Sequence, residues 1–317
     1  MAERDLHGLS LTAGPGAAQA FNHALEGYVR YRADTPGRIQ SLLEIAPGMA
    51  MAHTFKGAML MLTFKHANLG AARDASATAE RLAPGTTDRE RGHAAALRHW
   101  VAGDLDGTLR LWEDLLDAHP RDLLAFRLHH FLAFWMGQPQ RMAKIAAKVS
   151  PHWSPELPGW GTLLASRCFA NEELGKYQEA ETDGRAALAF DKGDLWAAHA
   201  VAHVMEMQGR QAEGIALLED LEPHWAGGNN LTHHLWWHRG LYHYERREFA
   251  AVLDLYDRRF RNHASPLIIQ NPDVYIDVQN AASMLLRLQR LGVDVGDRWI
   301  ELADKAEARI GDHLSLF

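Results

Sequence analysis

The sequence predicts an all-α protein built as a superhelical solenoid of helix-turn-helix repeats. Helical periodicity dominates the chain, and sustained alternation of polar and apolar residues is almost absent. Proline-containing stops also recur at similar intervals, at 46–48, 83–85, 119–121, 150–152 and 222–224. The last interval is about twice as long as the others, so we expect one repeat within it to end without proline, near Asp191.

Two helices fit inside each interval. Gly103 lies at the expected turn between the first helix and the second, and the same sequence pattern recurs around Gly175, around Gly209 and from Tyr244 onwards. Small residues where helices cross, an aromatic residue or leucine after the turn, and a closing proline are the tetratricopeptide pattern. We therefore expect seven or eight helix pairs, with the first helix of each pair lining the inner, concave surface.

The domain organisation follows from where this pattern weakens. Residues 1–265 are predicted to form the repeat superhelix. Residues 266–317 fit the repeat less well, because Gly292 and Gly296 bracket a wider turn. We expect this segment to be a helical capping region that is continuous with the superhelix.

Composition narrows the class of protein. The chain has 317 residues, 47% of them hydrophobic, and a net charge of −7, which argues against disorder and against nucleic acid as a partner. The single cysteine, Cys168, fits a reducing compartment, and neither a signal peptide nor a membrane span is recognisable. We therefore expect a soluble, cytoplasmic protein without a membrane partner; a homo-oligomer remains open.

Several sequence segments resemble the tetratricopeptide repeat protein 38 family and its bacterial relatives. They are RERGHAAALRHWVAGDLDGTLRLWEDLLDAHPRD, FRLHHFLAFWMG, WAAHAVAHVMEMQGR, LTHHLWWHRGLYHYERREFAAVLDLYD and SMLLRLQRLGVDVGDRW. The similarity runs from about residue 8 to the end. It implies a soluble, intracellular superhelix of degenerate repeats and brings no established reaction with it. Members of the family usually extend somewhat beyond the position of Phe317, which implies a further closing helix.

Two His-x-x-x-His pairs mark the candidate site. His199 and His203 form one pair and His234 and His238 the other, offset by 35 residues (234 − 199 = 35), about one repeat. Residues four apart share one face of a helix, so two neighbouring helices are predicted to direct two histidines each towards a common hollow. Glu206 follows His203 on the same face.

The same register places further side chains on the concave surface. The predicted ligand-binding residues are His93, Arg127, His130, Phe169, Glu172, His199, His203, Glu206, His234, Trp237, His238 and Tyr244. Aromatic rings would supply apolar area, while Arg127, the histidines and the glutamates would orient polar groups of a ligand.

Four interpretations of this cluster remain open. The histidines can be packed core groups, or they can line a pocket for a small molecule or peptide. They can hold zinc or another divalent metal through His199, His203, His234 and His238, although HExxH is absent. Lastly, they can serve metal-free acid–base catalysis, with Glu172, Glu206 and His203 as candidates. The preferred prediction is binding in the concave pocket; an enzyme, including a metal-dependent hydrolase or lyase, is the alternative.

Overall fold

The computed structural model describes residues 2–312, which contain seventeen α-helices and one short β-hairpin. The helices are α1 (Ala17–Val29), α2 (Thr35–Ile45), α3 (Ala50–Met61), α4 (Leu69–Leu82), α5 (Asp88–Val101), α6 (Leu105–Ala118), α7 (Leu123–Trp135), α8 (Pro139–Val149), α9 (Trp160–Glu172), α10 (Tyr177–Phe190), α11 (Leu195–Met207), α12 (Gln211–Leu221), α13 (Leu231–Glu245), α14 (Phe249–Leu255), α15 (Pro266–Gln270), α16 (Tyr275–Arg290) and α17 (Arg298–Glu307).

Consecutive helices pack as hairpins, and the hairpins stack into a superhelix. The first helix of a pair contacts the first helix of the next: α3 packs on α5, α9 on α11, α11 on α13, and α13 on α16. The predicted all-α solenoid of tetratricopeptide-like repeats is therefore confirmed. None of the helices in residues 2–312 has the length and hydropathy needed to cross a bilayer.

The turns between paired helices show why glycine recurs there. Gly103 and Gly209 have φ angles of 82° and 68°, a left-handed conformation that costs glycine little. Two of the earlier turns differ, because Tyr31 and Phe64 adopt φ angles of 53° and 52° with aromatic side chains. Both rings pack on other repeats, as described below.

The N-terminal β-hairpin is absent from the sequence-based prediction. Strand β1 (Ala2–Arg4) pairs antiparallel with β2 (Ser10–Thr12). Three residues are too few to show a polar–apolar alternation, so the strands leave no periodic signal. Between them, the Asp5 carboxylate accepts hydrogen bonds from the backbone N–H groups of His7 and Leu9.

The C-terminal helices continue the apolar core of the repeats. One buried cluster joins Leu241, Val252 and Phe260 to Met284 and Leu302. It therefore includes residues from both sides of the predicted 265/266 boundary. The division into a repeat region and a capping region stays a prediction. The last residues of the predicted capping region, 313–317, lie outside the described part of the chain.

The superhelix closes on itself. The turn at Tyr31 reaches the loop before α13, where the Asn229 N–H donates to the Tyr31 carbonyl at 2.7 Å and the Ala33 N–H to the Gly227 carbonyl at 3.0 Å. The turn at Phe64 meets the other end, where Arg309 donates to the Phe64 carbonyl at 2.8 Å. We call these two contacts the closure; they bring the first two hairpins over the inner surface of later repeats.

Candidate functional site

Four imidazoles converge between α11 and α13. Nε2 of His199 lies 2.9 Å from Nε2 of His203 and 3.0 Å from Nε2 of His234. Nε2 of His238 lies 3.2 Å from Nε2 of His234. Because α11 packs directly on α13, the offset of one repeat brings the two i,i+4 pairs to the same level.

Hydrogen bonding accounts for at most two of the three short contacts among these four nitrogens. In a neutral imidazole each ring nitrogen offers either one N–H or one lone pair in the ring plane. Four converging Nε2 atoms therefore form at most two N–H···N bonds, yet three of their separations are 3.2 Å or less. A single cation would instead accept all four lone pairs.

The Nδ1 atoms of His238 and His234 contact groups that can keep the ring hydrogen on Nδ1, which leaves a lone pair on Nε2. Nδ1 of His238 donates to Glu206 Oε2 at 2.9 Å, and Nδ2 of the Asn280 amide lies 2.9 Å from Nδ1 of His234. In that orientation the amide donates to Nδ1; turned by 180°, it would present its oxygen and accept the Nδ1 hydrogen. Carboxylates and amides in this position orient metal-binding histidines and raise their basicity.

The local environment favours the neutral form of His199, His203 and His234. Burial, followed by the positive charge that neighbouring histidines would carry, holds the pKa values of His199 and His203 well below the usual range. The pKa of His234 is lowered in the same direction, mainly by burial. Neutral imidazole is the form that binds a metal, so these rings remain competent ligands below pH 6.5.

The dimensions fit a tetrahedral ion. Zinc–nitrogen bonds of about 2.0–2.1 Å place tetrahedral ligand atoms about 3.3–3.4 Å apart. The three short Nε2 separations are slightly below this value, and one nitrogen from each of the four rings falls within 4.8 Å of the others. A small outward movement of the rings would accommodate zinc or another metal that favours imidazole.

Aromatic rings surround the cluster on two sides. Phe169 lies 5.3 Å from the His199 ring and 5.4 Å from the His203 ring, and Trp237 stacks on His234 at 5.3 Å. His203 and His234 are half-buried, whereas His199 is 3% exposed. Solvent therefore reaches the cluster from the side of His203, His234 and Glu206.

Glu172 sits at the edge of the cluster as a buried carboxyl. Its Oε2 lies 3.6 Å from Nδ1 of His203 and makes no hydrogen bond within residues 2–312. Burial raises the pKa of Glu172 to about 8, and the charges of Glu173 and Glu206 act in the same direction. The predicted catalytic candidates Glu172, Glu206 and His203 are thus neighbours.

Arg127 and His130 lie deeper, beneath the closure. Arg127 donates to Ser166 Oγ at 2.8 Å and to the Tyr31 hydroxyl at 2.9 Å, and its guanidinium lies 5.3 Å from the Trp196 ring. Both ring nitrogens of His130 are buried and lack a hydrogen-bond partner in the described residues. Trp196 connects both residues to the cluster, since it contacts His199 at 4.8 Å, and Phe169 provides a second link from His130.

Two other predicted site residues lie apart from the cluster. His93 contacts Asp122 Oδ2 at 2.8 Å through Nε2, in a buried network with Arg89. Tyr244 is at the last turn of α13, where its hydroxyl donates to the Arg287 carbonyl at 3.5 Å and its ring packs on Phe249. The helix positions of His93 and Tyr244 predicted that both side chains line the concave site. In the structure His93 contacts Asp122 and Tyr244 contacts Arg287, away from the histidine cluster.

Sequence reasoning missed Asn280, Trp196 and Tyr31. Asn280 comes from α16, 46 residues after His234, and no local pattern connects the two. Trp196 lies three residues before His199 on the same helix, so the helical period was a usable signal. Tyr31 is a turn residue, and its position over Trp196 depends on the closure.

Comparison with solved structures supports the fold. Over 95% of this chain and 54% of the other, the protein is similar to a chain in the crystal structure of the APC/C hetero-tetramer Cut9–Hcn1, with a TM-score of 0.62 and 11% identity. The protein thus spans about half of that chain. It is also similar to a tetratricopeptide repeat protein from Parabacteroides merdae, with a TM-score of 0.49 and 13% identity over 92% and 99% of the chains. No protein-family model matches the sequence.

Proposed function

We propose that this protein is a metal-binding tetratricopeptide-like scaffold in which His199, His203, His234 and His238 hold one divalent transition-metal ion, with zinc as the first candidate. The convergence of four Nε2 atoms carries the proposal, since hydrogen bonds pair at most two of the three contacts. The Glu206 carboxylate on Nδ1 of His238 supports it, because metal sites use such groups to fix the tautomer of a ligand histidine.

The ligand of the scaffold would approach the half-exposed side of this centre. Tyr31 stacks on Trp196 at 5.7 Å, and Phe64 stacks on Phe131 at 6.2 Å, so the chain itself covers the neighbouring concave surface. A small molecule or peptide would then contact the ion next to Trp237 and Glu206 rather than lie along the whole groove. A cytoplasmic location and a homo-oligomeric state are further proposals.

An enzyme is the second candidate. The specific observation in favour of an enzyme is the buried Glu172 carboxyl beside His203. The pKa of Glu172, about 8, suits proton transfer near neutrality. A bound ion would acidify a coordinated water, and Glu172 or Glu206 would exchange its proton. This arrangement would fit a hydrolase or lyase.

Elemental analysis of the purified protein tests the metal site. Wild type expressed with added zinc should carry at least one ion per chain, and replacing zinc by Co²⁺ should give the visible absorption of a tetrahedral cobalt centre. His199→Ala/His234→Ala should lose both signals, while His93→Ala, a buried histidine outside the cluster, should keep them. Folded wild-type protein that takes up no divalent metal would refute the proposal.

A further inference from the structure

We propose that Glu172, Glu173 and Nδ1 of His203 bind a second divalent cation next to the four-histidine centre. This inference rests on the proposed function, because His203 would be shared between the two ions. Ligand atoms of these three residues lie within 4.8 Å of one another. Glu172 is the last residue of α9 and Glu173 follows it directly, and His203 comes from α11, which packs on α9.

The Glu172 carboxylate lacks a partner. The residue is 5% exposed, and its Oε2 makes no hydrogen bond within the described chain. The separation of 3.6 Å from Nδ1 of His203 is too long for a hydrogen bond. Among residues 2–312, no lysine or arginine forms an ion pair with Glu172, so a bound cation would stabilise the ionised form of this buried carboxyl.

The separation suits one ion that binds both atoms. With metal–ligand bonds of about 2.0–2.2 Å, atoms 3.6 Å apart enclose an angle of about 110–128° at the metal. Glu173 is exposed at the end of α9 and would add a carboxylate from the solvent side, with water completing the shell. One imidazole with two carboxylates is a donor set that suits zinc.

Sharing His203 has a chemical consequence. The first ion would bind Nε2. The second would replace the hydrogen on Nδ1 and the proton of the Glu172 carboxyl, so both would leave as protons to the solvent and the ring would become an imidazolate bridge. Because the first ion withdraws electron density from the ring, it facilitates loss of the Nδ1 hydrogen. The second ion should therefore bind more weakly, and only after the first.

Calorimetric titration of metal-free protein with Zn²⁺ at pH 7.5 tests the second site. Wild type should bind two ions, one tightly and one at least tenfold more weakly. Glu172→Gln/Glu173→Gln should keep the tight ion and lose the weak one. The matched control Glu44→Gln/Glu179→Gln removes two exposed carboxylates elsewhere and should bind like wild type. His234→Ala, which leaves all three second-site residues intact, should weaken both ions.

The outcomes separate the two proposals. One ion in wild type, or two ions that the Glu172→Gln/Glu173→Gln variant retains at unchanged affinity, would refute the second site and leave the four-histidine centre standing. No ion at all would refute both. Thermal melting checks the fold of each variant. If the double variant does not fold, Glu173→Gln alone, at an exposed position, should weaken the second ion at least tenfold without affecting the first.

Discussion

Buried histidines at two places in this molecule differ in what their nitrogens contact. Nε2 of His93 faces the Asp122 carboxylate, which Arg89 also binds at 2.7 Å and which caps α7 through the Ala125 N–H. In the α11/α13 cluster, by contrast, the Nε2 atoms face one another. Burial is similar in the two places, since His93 is 1% and His199 3% exposed.

The two places therefore differ in the partner of Nε2 and not in burial, and this difference is the basis for proposing a metal at one of them. The negative charge of Asp122 faces Arg89, so Nε2 of His93 contacts a carboxylate that already has a cationic partner. Three of the four clustered histidines keep a low pKa mainly because of burial, and next because of the positive charge that neighbouring histidines would carry. Substitutions near His93 should therefore change mainly the stability of the protein, whereas substitutions in the α11/α13 cluster should change mainly its metal affinity.

Replacing Asp122 should give the largest effect, on stability alone. Asp122→Ala removes the shared partner of Arg89 and His93 together with a helix cap, which should lower the free energy of unfolding by about 3–5 kcal/mol. Denaturant unfolding measures this loss, and elemental analysis should find the metal content of the folded protein unchanged. A loss below about 1 kcal/mol would mean that this network is not structural.

Removing one clustered histidine should act mainly on metal affinity. His238→Ala deletes one of four ligands, and we expect zinc to bind more than about 100-fold more weakly, beyond the range for loss of an outer-shell partner. Competition with a chromophoric chelator gives the dissociation constant. His93→Ala serves as the comparison and should leave that constant unchanged; equal effects of the two substitutions would remove the distinction between the regions.

Replacing Glu206 should have an intermediate effect. Glu206→Gln replaces the carboxylate that accepts the His238 Nδ1 hydrogen, and loss of such a partner typically costs about 10–100-fold in metal affinity. The matched control is Glu113→Gln, because Glu113 holds His129, a buried histidine outside the cluster, at 3.1 Å. Similar zinc affinities for both variants would show that Glu206 does not support a metal ligand.

Acid should destabilise the metal-free protein through the cluster. The unfolded chain takes up protons on its histidines near pH 6.5, whereas the folded rings of His199, His203 and His234 stay neutral to lower pH. Stability is therefore retained above about pH 6.5 and falls as the pH drops below it. Between pH 7.5 and 6.0, His199→Leu should lose about 0.8 kcal/mol less than wild type, as measured by urea unfolding in chelator. An unchanged pH dependence would contradict the lowered pKa.

The sequence predicts the parts of this molecule that depend on short-range periodicity. Gly103 and Gly209 mark turns because a left-handed backbone favours glycine, and the i,i+4 spacing of His199 and His203 predicts a shared helix face. The repeat length then predicts which helices are neighbours, so the two histidine pairs could be placed on adjacent repeats.

Contacts between distant repeats leave no such signal. Tyr31 and Phe64 occupy turns where other repeats use glycine, and their rings reach Trp196 and Phe131 only because the superhelix closes. The amide of Asn280 meets His234 for a similar reason, since α16 packs back on α13. The curvature that brings these elements together sums small rotations over many repeats, and no single residue encodes it.

The closure also has a kinetic consequence. Most contacts in a stack of hairpins join nearby residues and can form early, but the hydrogen bond from Asn229 to Tyr31 joins residues almost two hundred positions apart. The closure should therefore form late in folding, after the hairpins of the superhelix have formed. In the native state its opening is expected to be the first large fluctuation, visible as faster amide hydrogen exchange at Ala33 and Asn229 than in the centres of α9 and α11.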